Sequence, residues 1–341
     1  MADCKEKINT TYIIAEIGQA HEGSLGILHS YIDALSTTGV DAIKFQTHIA
    51  EAESSLFEPF RIKFSYQDST RFEYWKRMEF SVAEWEDIKK HCQEVGLEFI
   101  SSPFSNMAVD LLETVGVSKY KIGSGEVNNF LMLEKIAKTG KDIILSSGMS
   151  NFQELDETIK FLKNYSNNLS ILQCTTKYPT EAQDIGLNVI RELIDRYNLP
   201  VGLSDHSGKI YPSISAVTLG ASIIEVHAVF DRRMFGPDST SSLEIEEIKQ
   251  LVEGIRFIES SLANPIDKTD NDKFSDLKNI FEKSLAINKQ KKAGEIVYFD
   301  DLEAKKPSGY GLPARKYKKI LGKVLTVDKN KWDFLQEGDY E

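Results

Sequence analysis

One feature constrains this chain more than any other: short β-branched runs alternate with helix-length amphipathic stretches, and the alternation recurs eight times. The strand-like runs are Tyr12–Ile17, Asp41–Gln46, Leu97–Ser101, Lys119–Ser124, Asp142–Ser146, Leu169–Gln173, Leu199–Ser204 and Ser222–His227. The helical stretches between and after them lie near 25–38, 82–95, 106–115, 130–138, 152–164, 187–197, 211–219 and 245–260. Eight strand–helix units over roughly 250 residues predict an α/β fold, the (β/α)8 or TIM barrel. An open doubly wound sheet is the alternative, but it has fewer strands and favours a Gly-rich fingerprint after the first, which this chain lacks.

The 341 residues leave room for a second, smaller domain. Residues 1–263 are assigned to the barrel and the polar stretch 264–280 to a linker. Residues 281–341, with the runs Ser284–Asn288 and Ile296–Tyr298 and several Gly and Pro turns, read as a small β-rich domain. The net charge of −11 excludes a nucleic-acid partner, because phosphate backbones need a basic face. From Glu282 onward, thirteen Lys or Arg face ten Asp or Glu, so a mildly basic tail follows an acidic body. The polar opening MADCKEKINT, the absence of membrane-length apolar runs and three scattered cysteines (Cys4, Cys92, Cys174) predict a cytoplasmic protein without membrane contact. Residues 50–78, long for a connection in such a fold and rich in aromatic and charged side chains, read either as a lid or as a packed surface excursion.

Polar and charged residues fall where barrel strands should be buried: Glu16, Lys44, Gln46, Lys121, Glu225 and His227. A lone buried charge is too costly to persist, so these groups need partners or a ligand. Glu16 and Glu225 suit an internal ion-pair network as well as a site. Lys44 and Lys121, near strand C-termini, favour anion binding. Hydroxyls follow five consecutive strands: Ser102, Ser124, Ser146, the Thr175–Thr176 pair and Ser204. Such a ring suits phosphate or carboxylate oxygens. His206 and His227 end adjacent strands, within reach of one divalent metal. Glu22 follows the first strand and could add a carboxylate there, or could simply start a helix.

Together these residues resemble the sialic acid synthase family, of the N-acetylneuraminate synthase type. The matching motifs are Ala15-Glu16-Ile17-Gly18 with His21-Glu22-Gly23-Ser24, Lys44-Phe45-Gln46-Thr47-His48, Ser102-Pro103-Phe104-Ser105, Tyr120 to Glu126, Leu145 to Met149, Tyr178-Pro179-Thr180, Gly202 to His206 and Gly236-Pro237-Asp238. The tail, with Ala293-Gly294-Glu295, Lys305-Lys306-Pro307 and Leu321-Gly322-Lys323, resembles the antifreeze-like SAF domain that closes these enzymes. The resemblance implies condensation of phosphoenolpyruvate with an open-chain hexosamine such as N-acetylmannosamine, giving a nine-carbon 2-keto acid and phosphate. It implies Lys44, Ser102, Lys121, Ser124, Ser146, Thr176 and Ser204 around phosphoenolpyruvate, and Gln46, Glu126, Tyr178, Asp238 and Lys306 around the sugar. Lys44, Lys121 and Glu22 would be catalytic. A divalent ion, Mn or Mg, would sit on His206 and His227 and polarise the aldehyde. A homodimer with swapped SAF domains is implied as well.

This chain departs from the pattern at Ala20, Thr176, Val226 and Lys306, where the family carries Asn, Asn, Arg and Arg. Lysine cannot present the planar fork of arginine. The departures therefore open the sugar to legionaminic, pseudaminic or deaminated precursors. The remaining alternatives are a seven- or eight-carbon keto-acid synthase, which lacks a SAF tail, and a non-catalytic barrel that binds a sugar acid.

Overall fold

A computed structural model describes residues 10–62, 64–165, 168–270 and 272–341. Cys4 and the polar opening, used above to argue location, lie outside these residues, as does Asn271 of the linker stretch. The chain forms two compact units, one ending at Asn264 and one beginning at Pro265.

In the first unit eight parallel strands pair in sequence order and close through β1–β8. They are β1 (Tyr12–Glu16), β2 (Ala42–Thr47), β3 (Glu98–Pro103), β4 (Lys119–Ile122), β5 (Asp142–Ser146), β6 (Leu169–Cys174), β7 (Val201–Asp205) and β8 (Ile223–Val229). This is the TIM-type barrel expected from the alternation. Its helices are α1 (Leu25–Ser36), α2 (Ala50–Glu53), α3 (Arg71–Met78), α4 (Val82–Glu94), α5 (Asn106–Val115), α6 (Phe130–Ala137), α7 (Phe152–Leu162), α8 (Leu187–Tyr197), α9 (Tyr211–Thr218) and α10 (Ile245–Ala263). Their starts are written locally. Ser81 and Glu84 form a capping box before α4, and Asn151 and Glu154 form one before α7. Segment 50–78 is less irregular than its composition suggests. It holds α2 and α3, the latter started by a Thr70–Glu73 capping box that the sequence displays.

Side chains alternate in and out along each strand, and the barrel uses this period twice. Low in the barrel, Ile14, Ala42, Ile100, Ile144, Leu172 and Ile223 form an apolar plug. Two residues further along the same strands stand Glu16, Lys44, Ser102, Ser146, Cys174 and Glu225, all buried. The plug closes the floor, and the next layer is polar. Gly202 is part of this fit, since a Cβ there would come within 2.2 Å of the Ile223 carbonyl and 2.6 Å of Leu172. The larger core lies outside the barrel, where the outward strand faces meet the helices.

In the second unit α11 (Ser275–Phe281) forms from the end of the stretch read as a linker. β10 (Ser284–Ile287) and β11 (Leu302–Lys305) pair antiparallel. The run Ile296–Tyr298 is not a strand. It makes one bridge, Ile296 to Val324, while Val297 enters a small core with Leu285, Ile287, Leu312, Ile320 and Leu335. With so few residues per segment, single bridges replace ladders.

Candidate active site

A cavity of about 530 Å³ opens above the polar layer. On its floor, Lys44 Nζ lies 2.7 Å from Glu16 Oε2 and 3.5 Å from Glu225 Oε1, and Lys121 Nζ lies 3.3 Å from the same Glu225 oxygen. All four side chains are buried. Strand register assembles them: Glu16 is opposite both Lys44 and His227. Burial alone would raise both carboxyls, but the lysines outweigh it and hold Glu16 and Glu225 below the usual carboxylate range. Lys44 is pushed up, because its two carboxylates overcome burial. Lys121 is pushed down by burial, and the neighbouring Lys44 charge adds to the effect. Glu225 Oε2 is buried with no hydrogen-bond partner.

Two of the hydroxyls meet these lysines, and a third meets Glu225. Lys121 donates to Ser146 at 2.7 Å, Lys44 to Ser102 at 3.5 Å, and Ser204 donates to Glu225 at 2.9 Å. Ser124 accepts from the Gly148 amide at 3.1 Å. Gly148 is glycine for lack of room, since a Cβ there would stand 2.5 Å from Thr176 Oγ1 and 2.6 Å from Ser124 Oγ.

His206 and His227 face each other with ring centroids 5.2 Å apart. His206 Nδ1 is 3.0 Å from the Thr175 carbonyl. A carbonyl only accepts, so Nδ1 carries a proton, and Nε2 lies 3.2 Å from the Tyr178 hydroxyl. The Thr175 carbonyl thereby fixes the ring's orientation, as such a contact does for a metal-binding imidazole. His227 Nε2 is 3.4 Å from Glu16 Oε2. Among the described residues no group of three or more His, Cys, Asp or Glu is arranged to hold a metal ion. His206 and His227 are the two imidazoles on the cavity wall that could hold one.

The upper wall carries Gln46, Glu126, Tyr178 and Asp238. Gln46 donates to Glu16 at 2.6 Å. Arg61 bonds Asp238 at 2.8 Å and lies 4.3 Å over the Tyr178 ring. Glu126 is pushed up, mainly by burial, with the Glu53 charge adding. Glu22 does not line the cavity. It has φ +48°, and Arg77 holds its Oε2 at 3.0 Å. Its other oxygen is buried without a partner, against Gly236. Lys306 belongs to the second unit, where its ammonium lies 4.8 Å from the Phe281 ring centre.

Arg61, Arg71, Glu53 and His48, not among the residues expected at the site, also line the cavity. His48 was detectable, since it continues the two-residue period of Lys44 and Gln46. The others come from segment 50–78, where no periodicity marks which side chains turn inward. No helix among the described residues is long and apolar enough to cross a membrane.

Known proteins resemble this chain along most of its length. The chain is 35% identical over 333 residues to the N,N'-diacetyllegionaminic acid synthase of Campylobacter jejuni, covering 96% of this chain and 99% of that one. It is 32% identical to the human N-acetylneuraminate-9-phosphate synthase, over 96% and 91% of the two chains. The solved sialic acid synthetase of Leptospira borgpetersenii superposes with a TM-score of 0.70 at 29% identity, covering 79% of this chain and 90% of that one. The NeuB family model matches residues 31–267, and the chain belongs to the NeuB family.

Proposed function

We propose that this protein is a synthase that condenses phosphoenolpyruvate with the open-chain aldehyde of a hexosamine, N-acetylmannosamine or a related sugar, to give a nine-carbon sialic-acid-type 2-keto acid and phosphate. The observation that carries the reading is the floor of the cavity: two buried lysines and a ring of hydroxyls beside two facing imidazoles. Relatives named as legionaminic, pseudaminic and N-acetylneuraminate-9-phosphate synthases support the reaction class and leave the acyl and amino pattern of the sugar open among them.

Lys44 and Lys121 are the cations for the phosphate and carboxylate of phosphoenolpyruvate, with Ser102, Ser124, Ser146, Thr176 and Ser204 donating to their oxygens. Gln46, Glu126, Tyr178 and Asp238 orient the sugar. The enol carbon attacks the aldehyde carbon, whose oxygen takes up a proton. Water adds to the former enol carbon, and phosphate leaves by carbon–oxygen cleavage. A divalent ion, Mn or Mg, held by His206 and His227 would supply Lewis acidity to the aldehyde oxygen. Glu22 stands one layer behind the wall, fixed on Arg77, in place to act through an ordered water.

We further propose that the second unit is a SAF-type domain, that its Lys306 faces the sugar, and that it serves the other copy of a swapped homodimer in the cytoplasm. The +3 tail beside a −14 body favours such an exchange. The test is phosphate release from phosphoenolpyruvate across a panel of hexoses and amino hexoses, with keto-acid mass as the second readout. Release that needs both sugar and metal, and stops with EDTA, is expected. No release with any sugar would refute the synthase reading.

A further inference from the structure

Charge pairing in the cavity leaves one place unbalanced. Among the described residues four cations line it, and each has its own carboxylate. Lys44 pairs with Glu16 at 2.7 Å, Lys121 with Glu225 at 3.3 Å, Arg61 with Asp238 at 2.8 Å and Arg71 with Glu58 at 3.0 Å. Two lining carboxylates, Glu53 and Glu126, have no lysine or arginine partner among the described residues.

Glu53 ends α2, and its side chain is only 7% exposed. Its Oε1 takes a hydrogen bond from His48 Nδ1 at 2.7 Å, and its Oε2 is buried with no partner. His48 is held flat between Trp75 and Phe104, with centroids at 4.0 and 4.6 Å and interplanar angles of 17° and 10°. Its Nε2 is 3.3 Å from the Gln19 amide nitrogen and 3.2 Å from the Gln46 amide oxygen, so the ring is fixed at both nitrogens while Glu53 Oε2 still lacks a donor. Glu126 accepts from Asn129 at 2.7 Å, and both carboxylates line the same cavity. A buried carboxylate oxygen without a donor is costly, and a ligand donor placed there recovers that cost.

We propose that Glu53, presented by His48, and Glu126 form an acceptor subsite for a free, unacylated amino group of the sugar. Phosphoenolpyruvate is anionic and cannot be the occupant. An ammonium brings three donors and a charge that both carboxylates favour. A hydroxyl brings one donor, and an acetamido group brings one donor without charge. The proposal rests on the synthase reading and names the sugar it selects.

The test uses full-length protein, phosphoenolpyruvate and three amino sugars: mannosamine, 4-amino-4-deoxymannose and 6-amino-6-deoxymannose, each against its N-acetyl counterpart. At least one amine should exceed its acetylated partner tenfold or more in kcat/KM. Glu53→Gln should lower that amine at least tenfold further than its partner, and Glu126→Gln, read in parallel, should shift selectivity the same way. Wild-type preference for every acetylated sugar, or equal losses for both members of the pair, overturns the subsite. Calorimetry separates the two readings. Amino-sugar binding that Glu53→Gln abolishes, without phosphate release from any sugar, refutes the synthase and keeps the subsite. Binding that Glu53→Gln leaves unchanged overturns the subsite alone.

Discussion

Replacing Lys121 by Met tests the floor network most directly. The methionine fills much the same volume and removes the charge, leaving Glu225 buried with one oxygen already unpaired. At 3.3 Å the direct attraction is about 5 kcal/mol for an effective dielectric of ~20. Glu225 keeps Lys44 at 3.5 Å and Ser204 at 2.9 Å, so the net loss is smaller. Breaking a buried pair from one side costs roughly 3–5 kcal/mol, and the retained partners place this variant near 3. Glu225→Gln should cost a similar amount by stranding Lys121. The double variant removes both charges together and should recover about 2 kcal/mol relative to the sum of the singles. Denaturant unfolding followed by tryptophan fluorescence measures this. Trp75 and Trp85 lie in the first unit, and Trp332→Phe silences the second. Single-variant losses that add to within about 0.5 kcal/mol would show that the two charges do not interact and would refute the network.

Three further outcomes follow from the same geometry. His227→Ala should keep its far-ultraviolet circular dichroism and lose both bound Mn and Mn-dependent turnover; full Mn binding by equilibrium dialysis removes His227 from the metal shell. Gly148→Ala should raise the KM for phosphoenolpyruvate about tenfold or more, because its Cβ displaces Ser124 and Thr176; an unchanged KM means these hydroxyls do not hold that substrate. In the second unit burial alone would raise Asp301, but hydrogen bonds from Lys289 and Lys291 outweigh it and hold the carboxyl at about 2, below its ordinary 3.8. Its stabilisation is therefore complete above about pH 5 and fades as pH falls from there toward 2. Acid unfolding read at Trp332 should show this loss, and Asp301→Asn should remove it.

The barrel is legible in the chain alone, because its evidence is local. Alternating strand and helix periods are written residue by residue, and the closing rule for parallel strands leaves few topologies. The chain alone also shows which strands carry polar ends, since Lys44, Lys121, Glu225 and His227 interrupt apolar runs. The motif resemblance pointed to the same positions. Only the tertiary structure decided pairing. Lys44 and Glu16 are neighbours through strand register, and Lys121 meets Glu225 across the barrel interior, contacts that no spacing encodes. Glu22 stood in the sequence as a rim acid, and the fold set it one layer back on Arg77. Arg61, Arg71 and Glu53 were invisible because their segment has no period. A side chain there turns toward the cavity or toward solvent according to what α2 and α3 pack against, and that is fixed by long-range contact alone.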